Sequence, residues 1–480
     1  MKKLTFSTGG VHPQDCKLAK DCPIEVLPLP KTLWVSTAQH LGAPAKPVVA
    51  VGDRVLTGQV IAEPGGFISA FVHSPASGTV KSIAPRADLA GRQVVHIEIE
   101  VDGDEWAPGI DTSEDLVTAI PDDRAMMLDR IKNCGVVGLG GATFPTHVKL
   151  NPAPGSPAAE ALLVNGSECE PFLTSDYRLM LECPKQILVG AAIMQKILGG
   201  PKCFICIEDN KPEAIKVMGA ALKELGYENM VIQPLLKKYP QGGEKQLIQA
   251  VMRREVGSGA LPISVGAVVQ NVTTAFAVYE AVQKNKPLLT NILTITGDCL
   301  PLENQHNYLF RIGMPFSYIA GYAGGVPADA AKIVSGGPMM GRAVANMEAT
   351  TVKGSSALLY LSEKTTRRWT EGACIRCGRC SEACPMGLEP FLLNRLYKAG
   401  LSDELEKNAV QDCIECGCCL YSCPAGIPLL DNVRQAKLQV MGIMRARAAA
   451  AKAAAEAAKA AAEAAPVIPG GDRESSSAKK

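Results

Sequence analysis

Eight cysteines toward the C-terminal end fall in one phrase written twice, Cys374-x2-Cys377-x2-Cys380-x3-Cys384-Pro385 and Cys413-x2-Cys416-x2-Cys419-x3-Cys423-Pro424. Thiolates at this spacing cap the irons of 4Fe-4S cubanes: three closely spaced sulfurs serve one cluster, and the fourth reaches across to the other. The rule yields two ligand sets, Cys374, Cys377, Cys380 and Cys423, then Cys413, Cys416, Cys419 and Cys384. Gly378 and Gly417 permit turns tight enough to aim amide N–H groups at the sulfurs, and Pro385 and Pro424 end each ligand loop. Two such centres make a one-electron relay. Structural zinc is the alternative, since paired Cys-x2-Cys units also build a tetrahedral S4 shell. A zinc site has no use for the third cysteine, the fourth at +4 and the proline that both phrases carry. Cys418 lies outside the pattern and reads as filler beside the second cluster.

The elements that hold this relay must come from a long chain. At 480 residues it exceeds one core and divides into several domains. Its 49 basic and 48 acidic residues nearly cancel, so no strong field draws it to nucleic acid. The other cysteines are scattered through apolar stretches such as Cys203-Phe204-Ile205-Cys206-Ile207 and read as buried, reduced thiols. His12, Cys16 and Cys22 are too irregularly spaced for a metal site. The first residues carry no hydrophobic signal segment and no run of eighteen apolar residues occurs, so a cytoplasmic chain without a membrane span of its own is expected.

Residues 1–120 read as short β-branched strands punctuated by Gly and Pro, a small all-β domain. Residues 121–290 alternate apolar strands (Ala161–Asn165, Cys203–Ile207, Met230–Ile232) with helical stretches such as Pro212–Leu222, which predicts an α/β domain with a mainly parallel sheet. Ligands of such sheets sit beyond the carboxyl ends of the strands. Four polar loops qualify: Gly135–Lys149, Asn165–Pro171, Tyr239–Lys245 and Val268–Thr274. Residues 291–350 form a third block, 360–440 hold the cysteine phrases with a helix from Pro390 to Gly400 between them, and 441–480 are an Ala/Lys-rich tail, helical then disordered.

These motifs carry a resemblance. Gly138-x-Gly140-Gly141-Ala142-x-Phe144-Pro145-Thr146 with Lys149, the Asn165–Pro171 turn and Gly243-Glu244 resemble the FMN- and NADH-binding fold of the 51 kDa flavoprotein of respiratory complex I. Thr143 and Ser167 depart from it, standing where those relatives carry glycine and aspartate. The first block resembles a biotinyl/lipoyl hammerhead lacking the carrier lysine in Glu63–Phe71, the third a β-grasp domain, and the cysteine block a two-cluster ferredoxin domain. With Gly9-Gly10-Val11-His12-Pro13, residues 1 to about 440 resemble the RnfC/RsxC family of Rnf/Rsx-type ion-translocating electron transport complexes.

The resemblance implies that Gly138, Gly140, Lys149, Asn165, Glu168, Gly243, Glu244, Asn271 and Thr274 surround FMN. It implies that NADH uses Gly141, Ala142 and Phe144 and the carboxylate of Glu170 as the catalytic group. It further implies a peripheral, cytoplasmic-face subunit of a membrane complex, passing electrons between NADH and ferredoxin, through partner subunits, with Na+ or H+ translocation. A flavin would convert two-electron hydride chemistry to the one-electron chemistry of the clusters. Two other functions fit the same motifs: a diaphorase subunit of a soluble hydrogenase or formate dehydrogenase, and a non-enzymatic electron wire whose α/β domain has lost nucleotide binding.

Overall fold

The computed structural model describes residues 3–367 and 370–464. They fall into two compact units, Met1–Gly387 with Cys416–Ile427, and Leu388–Glu415 with Pro428–Lys480.

The centre of the first unit is a four-stranded parallel sheet in the order Met230–Leu235, Lys202–Glu208, Ala161–Gly166, Ala267–Asn271. Its strands are largely apolar because both faces are covered, as parallel sheets require. Leu162, Val164, Cys203, Ile205 and Ile207 pack on one side with helix Pro184–Ile197, while Leu163, Cys206, Leu235 and Val269 meet Leu247 and Ile248 on the other. Helix Pro212–Leu225 begins on proline, whose missing N–H would have no partner there, and stops at Gly226 in the left-handed conformation. Helices Pro184–Ile197 and Val272–Lys284 approach so closely that a Cβ on Gly190 would lie 1.8 Å from the Ala275 carbonyl oxygen.

Two small antiparallel sheets make the N-terminal β domain. One orders Thr32–Ser36, Gln93–Gly103, Ser77–Ala87 and Arg54–Val55; the other holds Lys46–Pro47, Val60–Glu63 and Val72–His73. Val35, Val55, Ile61, Val72, Val80, Ile97 and Ile99 fill its core. The chain before this domain is used elsewhere: Leu4 and Val11 bridge to Leu235 and Tyr239, and Ile24–Val26 joins a third sheet. That sheet is mixed and ordered Ile24–Val26, His306–Arg311, Thr290–Thr296, Ala357–Ser362, Ala330–Ser335, Arg342–Ala343, with helix Phe316–Tyr322 inserted in sequence after His306–Arg311. It therefore draws strands from both sides of the 291–350 block.

The second unit is helical. Pro390–Lys398, Ser402–Lys407 and the helix Leu429–Ala464 bury Leu393, Leu405, Val410, Val433, Ala436 and Val440 together. The helix of the Ala/Lys-rich segment begins before 441, at Leu429. No proline interrupts the helix from Leu429 onward, and Val433, Ala436 and Val440 fall at helical spacing, so one helix runs from the core into the alanine-rich stretch. The expected disordered tip, 465–480, lies outside the described residues. Among the described residues, no helix is long and apolar enough to cross a membrane.

Candidate functional site

Strand order decides where the predicted loops meet. From Ala161–Gly166 the chain winds outward to Lys202–Glu208 and Met230–Leu235, then returns to the other side as Ala267–Asn271. The winding reverses between Ala161–Gly166 and Ala267–Asn271, the crevice where open parallel sheets bind ligands. Asn165 and Asn271 are paired in register at its lip.

The glycine loop lies over Asn271. A Cβ on Gly140 would come 2.8 Å from that of Asn271, so only glycine fits. The loop is closed by Gly138 N–H donating to Phe144 O (2.8 Å) and Leu139 N–H donating to Thr274 Oγ1 (2.9 Å). Gly141 and Ala142 are exposed, and Phe144 is half-buried. Thr143 sits at φ 49°, so the position where a glycine was expected does have a left-handed backbone. Asn271 caps helix Val272–Lys284 through Thr273 N–H (2.7 Å) and donates to Asp176 Oδ2 (2.7 Å). Asp176, which no sequence pattern singled out, also accepts from Thr273 Oγ1 (2.7 Å). Burial and the nearby Glu168 push its carboxyl up to about 6.

The second loop is held from below by two lysines that sequence reasoning missed. Lys17 Nζ donates to the carbonyls of Glu168, Glu170 and Leu173 (2.8, 2.9 and 2.6 Å), and Lys211 Nζ to Ser167 O (2.6 Å). Burial lowers Lys17 to about 8. Glu168 (φ 44°) and Phe172 (φ 70°) are left-handed despite their side chains. The Glu168 carboxylate does not face the crevice as a free acceptor. It takes the N–H groups of Asp176 (2.8 Å) and Tyr177 (3.3 Å), anchoring helix Ser175–Glu182. Glu170 is bound by the N–H groups of Met339 (3.0 Å) and Met340 (2.8 Å) and by Tyr239 Oη (3.4 Å), and burial pushes its carboxyl up to about 7.

The third loop closes the crevice. Asn165 Nδ2 donates to Gly242 O (2.9 Å), and Lys149 pairs with Glu244 at 2.6 Å, both side chains remaining partly open to solvent. Helix Glu244–Met252 starts at Gly243 with no side-chain cap, leaving its first N–H groups free for an anion. Ser167 Oγ, Gln241 Nε2 and Gln270 Nε2 are buried at the carboxyl edge of the sheet without a protein partner. Exposed glycine backbone, an uncapped helix start beside a lysine, and unpartnered polar atoms together suit a phosphate-bearing planar cofactor.

No disulfide forms among the seventeen cysteines. Cys134, Cys203 and Cys206 are buried as expected, whereas Cys16, Cys22, Cys169, Cys183 and Cys299 are only half-buried. The two phrases share one backbone course: Arg376 and Glu415 at φ 57°, Gly378 and Gly417 at φ 77° and 80°, Gly387 and Gly426 at φ 66° and 62°. Short helices Arg379–Glu382 and Cys418–Tyr421 follow at matching positions and pack together. Cys374 and Cys377 are exposed, Cys384 and Cys416 buried, and Cys380, Cys413, Cys419 and Cys423 intermediate. Among the described residues, no three His, Cys, Asp or Glu groups converge as ligands of a single metal ion. Cys418 is buried and its thiol lies in hydrogen-bond contact with Cys416, which lowers the Cys416 pKa and raises its own.

Residues 131–280 match the Nuo51 FMN-binding domain, 4–104 the RnfC barrel sandwich hybrid domain, and 368–437 a 4Fe-4S dicluster domain. The RnfC-type member of the proton-translocating ferredoxin:NAD(+) oxidoreductase complex of Clostridium ljungdahlii is 43% identical over 401 residues, covering 83% of this chain and 86% of that one. The chain belongs to the RnfC family. Its counterpart in the Na(+)-translocating ferredoxin:NAD(+) oxidoreductase complex of Acetobacterium woodii is 39% identical over 451 residues, 93% of this chain and 99% of that one. An NAD+-reducing [NiFe]-hydrogenase in the H2-reduced state aligns at TM-score 0.46 and 18% identity over 67% of this chain and 63% of that one, too weakly to bear on the reading. This RnfC protein thus joins a barrel-sandwich domain, an FMN-binding α/β domain and a dicluster iron-sulfur domain in one chain.

Proposed function

We propose that this chain is the peripheral NADH-binding subunit of an Rnf-type membrane complex, exchanging electrons between NADH and ferredoxin coupled to Na+ or H+ movement. The observation that carries the reading is the meeting of all four predicted loops at the switch point of the parallel sheet, in a chain that also carries both cysteine phrases. Gly138, Gly140, Lys149, Asn165, Gly243, Glu244, Asn271 and Thr274 would hold FMN. Thr274 acts by fixing the glycine loop, and Glu168 by its place in the second loop, its carboxylate being taken by the helix. Gly141, Ala142 and Phe144 would offer open backbone and an aromatic ring to the nicotinamide substrate, and Glu170 would be the catalytic carboxylate. When bound, the flavin supplies conversion between hydride and single electrons. The protein's part is to orient, to exclude water and to hold Glu170 close to its titration point.

The cysteines Cys374, Cys377, Cys380, Cys384, Cys413, Cys416, Cys419 and Cys423 would bind two 4Fe-4S clusters. Ion movement then belongs to integral partner subunits, with ferredoxin reached through a partner and this chain on the cytoplasmic face. The β-grasp reading of the third block is supported by its mixed sheet: leaving aside Ile24–Val26, the strands run second, first, fifth, third, fourth, with a helix between the second and third. The domain limits 1–120, 121–290, 291–350, 360–440 and 441–480 remain our working division. Anaerobic addition of NADH to the reconstituted chain is the test. Flavin bleaching followed by loss of iron-sulfur absorbance supports the proposal, whereas an unreduced flavin marks a passive wire. Purification without integral subunits from native membranes would favour a soluble diaphorase.

A further inference from the structure

The loop Tyr239–Gln246 faces two ways. One side closes the flavin crevice through Gly242 and Glu244. The other grips both cysteine phrases. Tyr239, only 1% exposed, donates its hydroxyl to the carbonyl of Cys416 at 2.9 Å. Gln246, 4% exposed, donates Nε2 to the carbonyl of Pro385 at 3.2 Å, directly after Cys384. A third hold comes from the N-terminal segment. Val11 pairs with Tyr239 by two backbone hydrogen bonds (2.8 and 2.9 Å), and Gly10 N–H donates to Ala383 O at 2.9 Å. Gly9, at φ 63°, lies so close to Cys384 that a Cβ would be 2.4 Å from its carbonyl carbon and oxygen. Gly9 is therefore required by contact with the cysteine loop, and Gly10, at φ 91°, by contact with the Tyr239 carbonyl oxygen, 2.8 Å from where its Cβ would lie. The same Tyr239 hydroxyl lies 3.4 Å from Glu170 on the nucleotide side, so one side chain touches both halves of the route.

We propose that Tyr239 and Gln246, braced by Gly9-Gly10, are positioning residues that seat both cysteine loops on the flavin domain and so set the flavin-to-cluster route. The inference rests on the function proposed above, in which the cysteine loops carry clusters and the crevice a flavin reduced by NADH. Neither side chain is a ligand; each holds a backbone carbonyl next to or within a ligand position. Loss of one such hold should loosen its own loop and leave the other seated, because the two anchors reach different phrases.

The test uses the full chain and the variants Tyr239→Phe and Gln246→Leu. Tyr239→Phe removes one oxygen and leaves the ring packed. Amide hydrogen exchange, read by peptide, should quicken about fivefold across 416–423 in Tyr239→Phe and across 380–387 in Gln246→Leu, the effect of one ordinary hydrogen bond. In stopped-flow mixing with NADH, flavin bleaching should keep its wild-type rate in Gln246→Leu, whose side chain makes no hydrogen bond to Glu170, while loss of iron-sulfur absorbance slows about fivefold or more. Unchanged exchange in both segments, or equal slowing of flavin and cluster signals, overturns the proposal. Unmodified chain that takes up no iron and sulfide would defeat the cluster reading instead, and the exchange result would still decide whether these residues seat the loops.

Discussion

Lys353 offers the sharpest test of how the glycine loop is held. Its side chain is 1% exposed, and its ammonium donates to Phe71 O of the β domain and to Gly135 O at the root of the glycine loop, both at 2.7 Å. Burial lowers its pKa from 10.5 to about 7. A lysine depressed in the folded state stabilises less at neutral pH than above its ordinary pKa, because the unfolded chain binds the proton more tightly. Stability attributable to this group is therefore full above 10.5 and is lost as pH falls toward 7. The shift corresponds to about 5 kcal/mol in all, at about 1.4 kcal/mol per pH unit, of which about 2 kcal/mol is recovered between pH 7 and pH 9. Lys353→Met keeps the volume and removes the charge, but leaves two buried carbonyls without donors at about 1–3 kcal/mol each. The two effects nearly cancel at pH 7, so stability there should change little. The slope should change: urea unfolding followed by tryptophan fluorescence should show wild type gaining about 2 kcal/mol from pH 7 to 9 relative to the variant. The neighbouring His73 and His40 are lowered by burial and titrate below this window, and Cys134 is pushed up to about 12, above it. Parallel pH slopes for the two proteins would refute the reasoning.

Three further outcomes follow from the site. Asn271→Ala removes a helix cap and a donor to the buried Asp176, so thermal unfolding should show a loss of about 2 kcal/mol or more, and equilibrium dialysis weaker FMN binding. Glu170, raised from 4.5 to about 7 by burial, favours the folded state below 4.5 and loses that advantage as pH rises through 7; Glu170→Gln should flatten the fall in Tm between pH 5 and 7 and remove an inflection near 7 from the NADH oxidation profile. Cys377→Ala should cut iron from about eight to about four atoms per chain by colorimetric assay, with flavin content unchanged; full iron retention would break the ligand assignment.

Much of this was legible in the chain because the signals were local. Cysteine spacing names a cofactor without reference to the rest of the molecule, and apolar runs such as Ala161–Asn165 announce buried parallel strands. The winding reversal beside Asn271 required strand order, which periodicity does not encode. Asp176, Lys17, Lys211 and Lys353 were invisible for a related reason: an isolated charged residue in sequence reads as surface, and only the fold reveals that each is enclosed by carbonyls or amides from distant segments. That the Glu168 carboxylate is taken by the start of helix Ser175–Glu182 is illegible too, since nothing in Asn165–Pro171 foretells a helix start eight residues on.

The three enclosed lysines have one physical explanation. A loop that turns its N–H groups toward an anionic nucleotide must turn carbonyls inward, and buried carbonyls need donors. Lys17, Lys211 and Lys353 together satisfy carbonyls of Phe71, Gly135, Ser167, Glu168, Glu170 and Leu173. An ammonium is well suited, having three donors on one atom and no acceptor. It lets Glu168 and Phe172 keep left-handed backbones that would otherwise relax. Placed beneath the loops, the ammonium groups of Lys17 and Lys211 also add positive potential, which favours the phosphates of both FMN and NADH. The depressed pKa values of Lys17 and Lys353 follow directly: burial that makes the ammonium an effective anchor is the same burial that makes it willing to lose its proton.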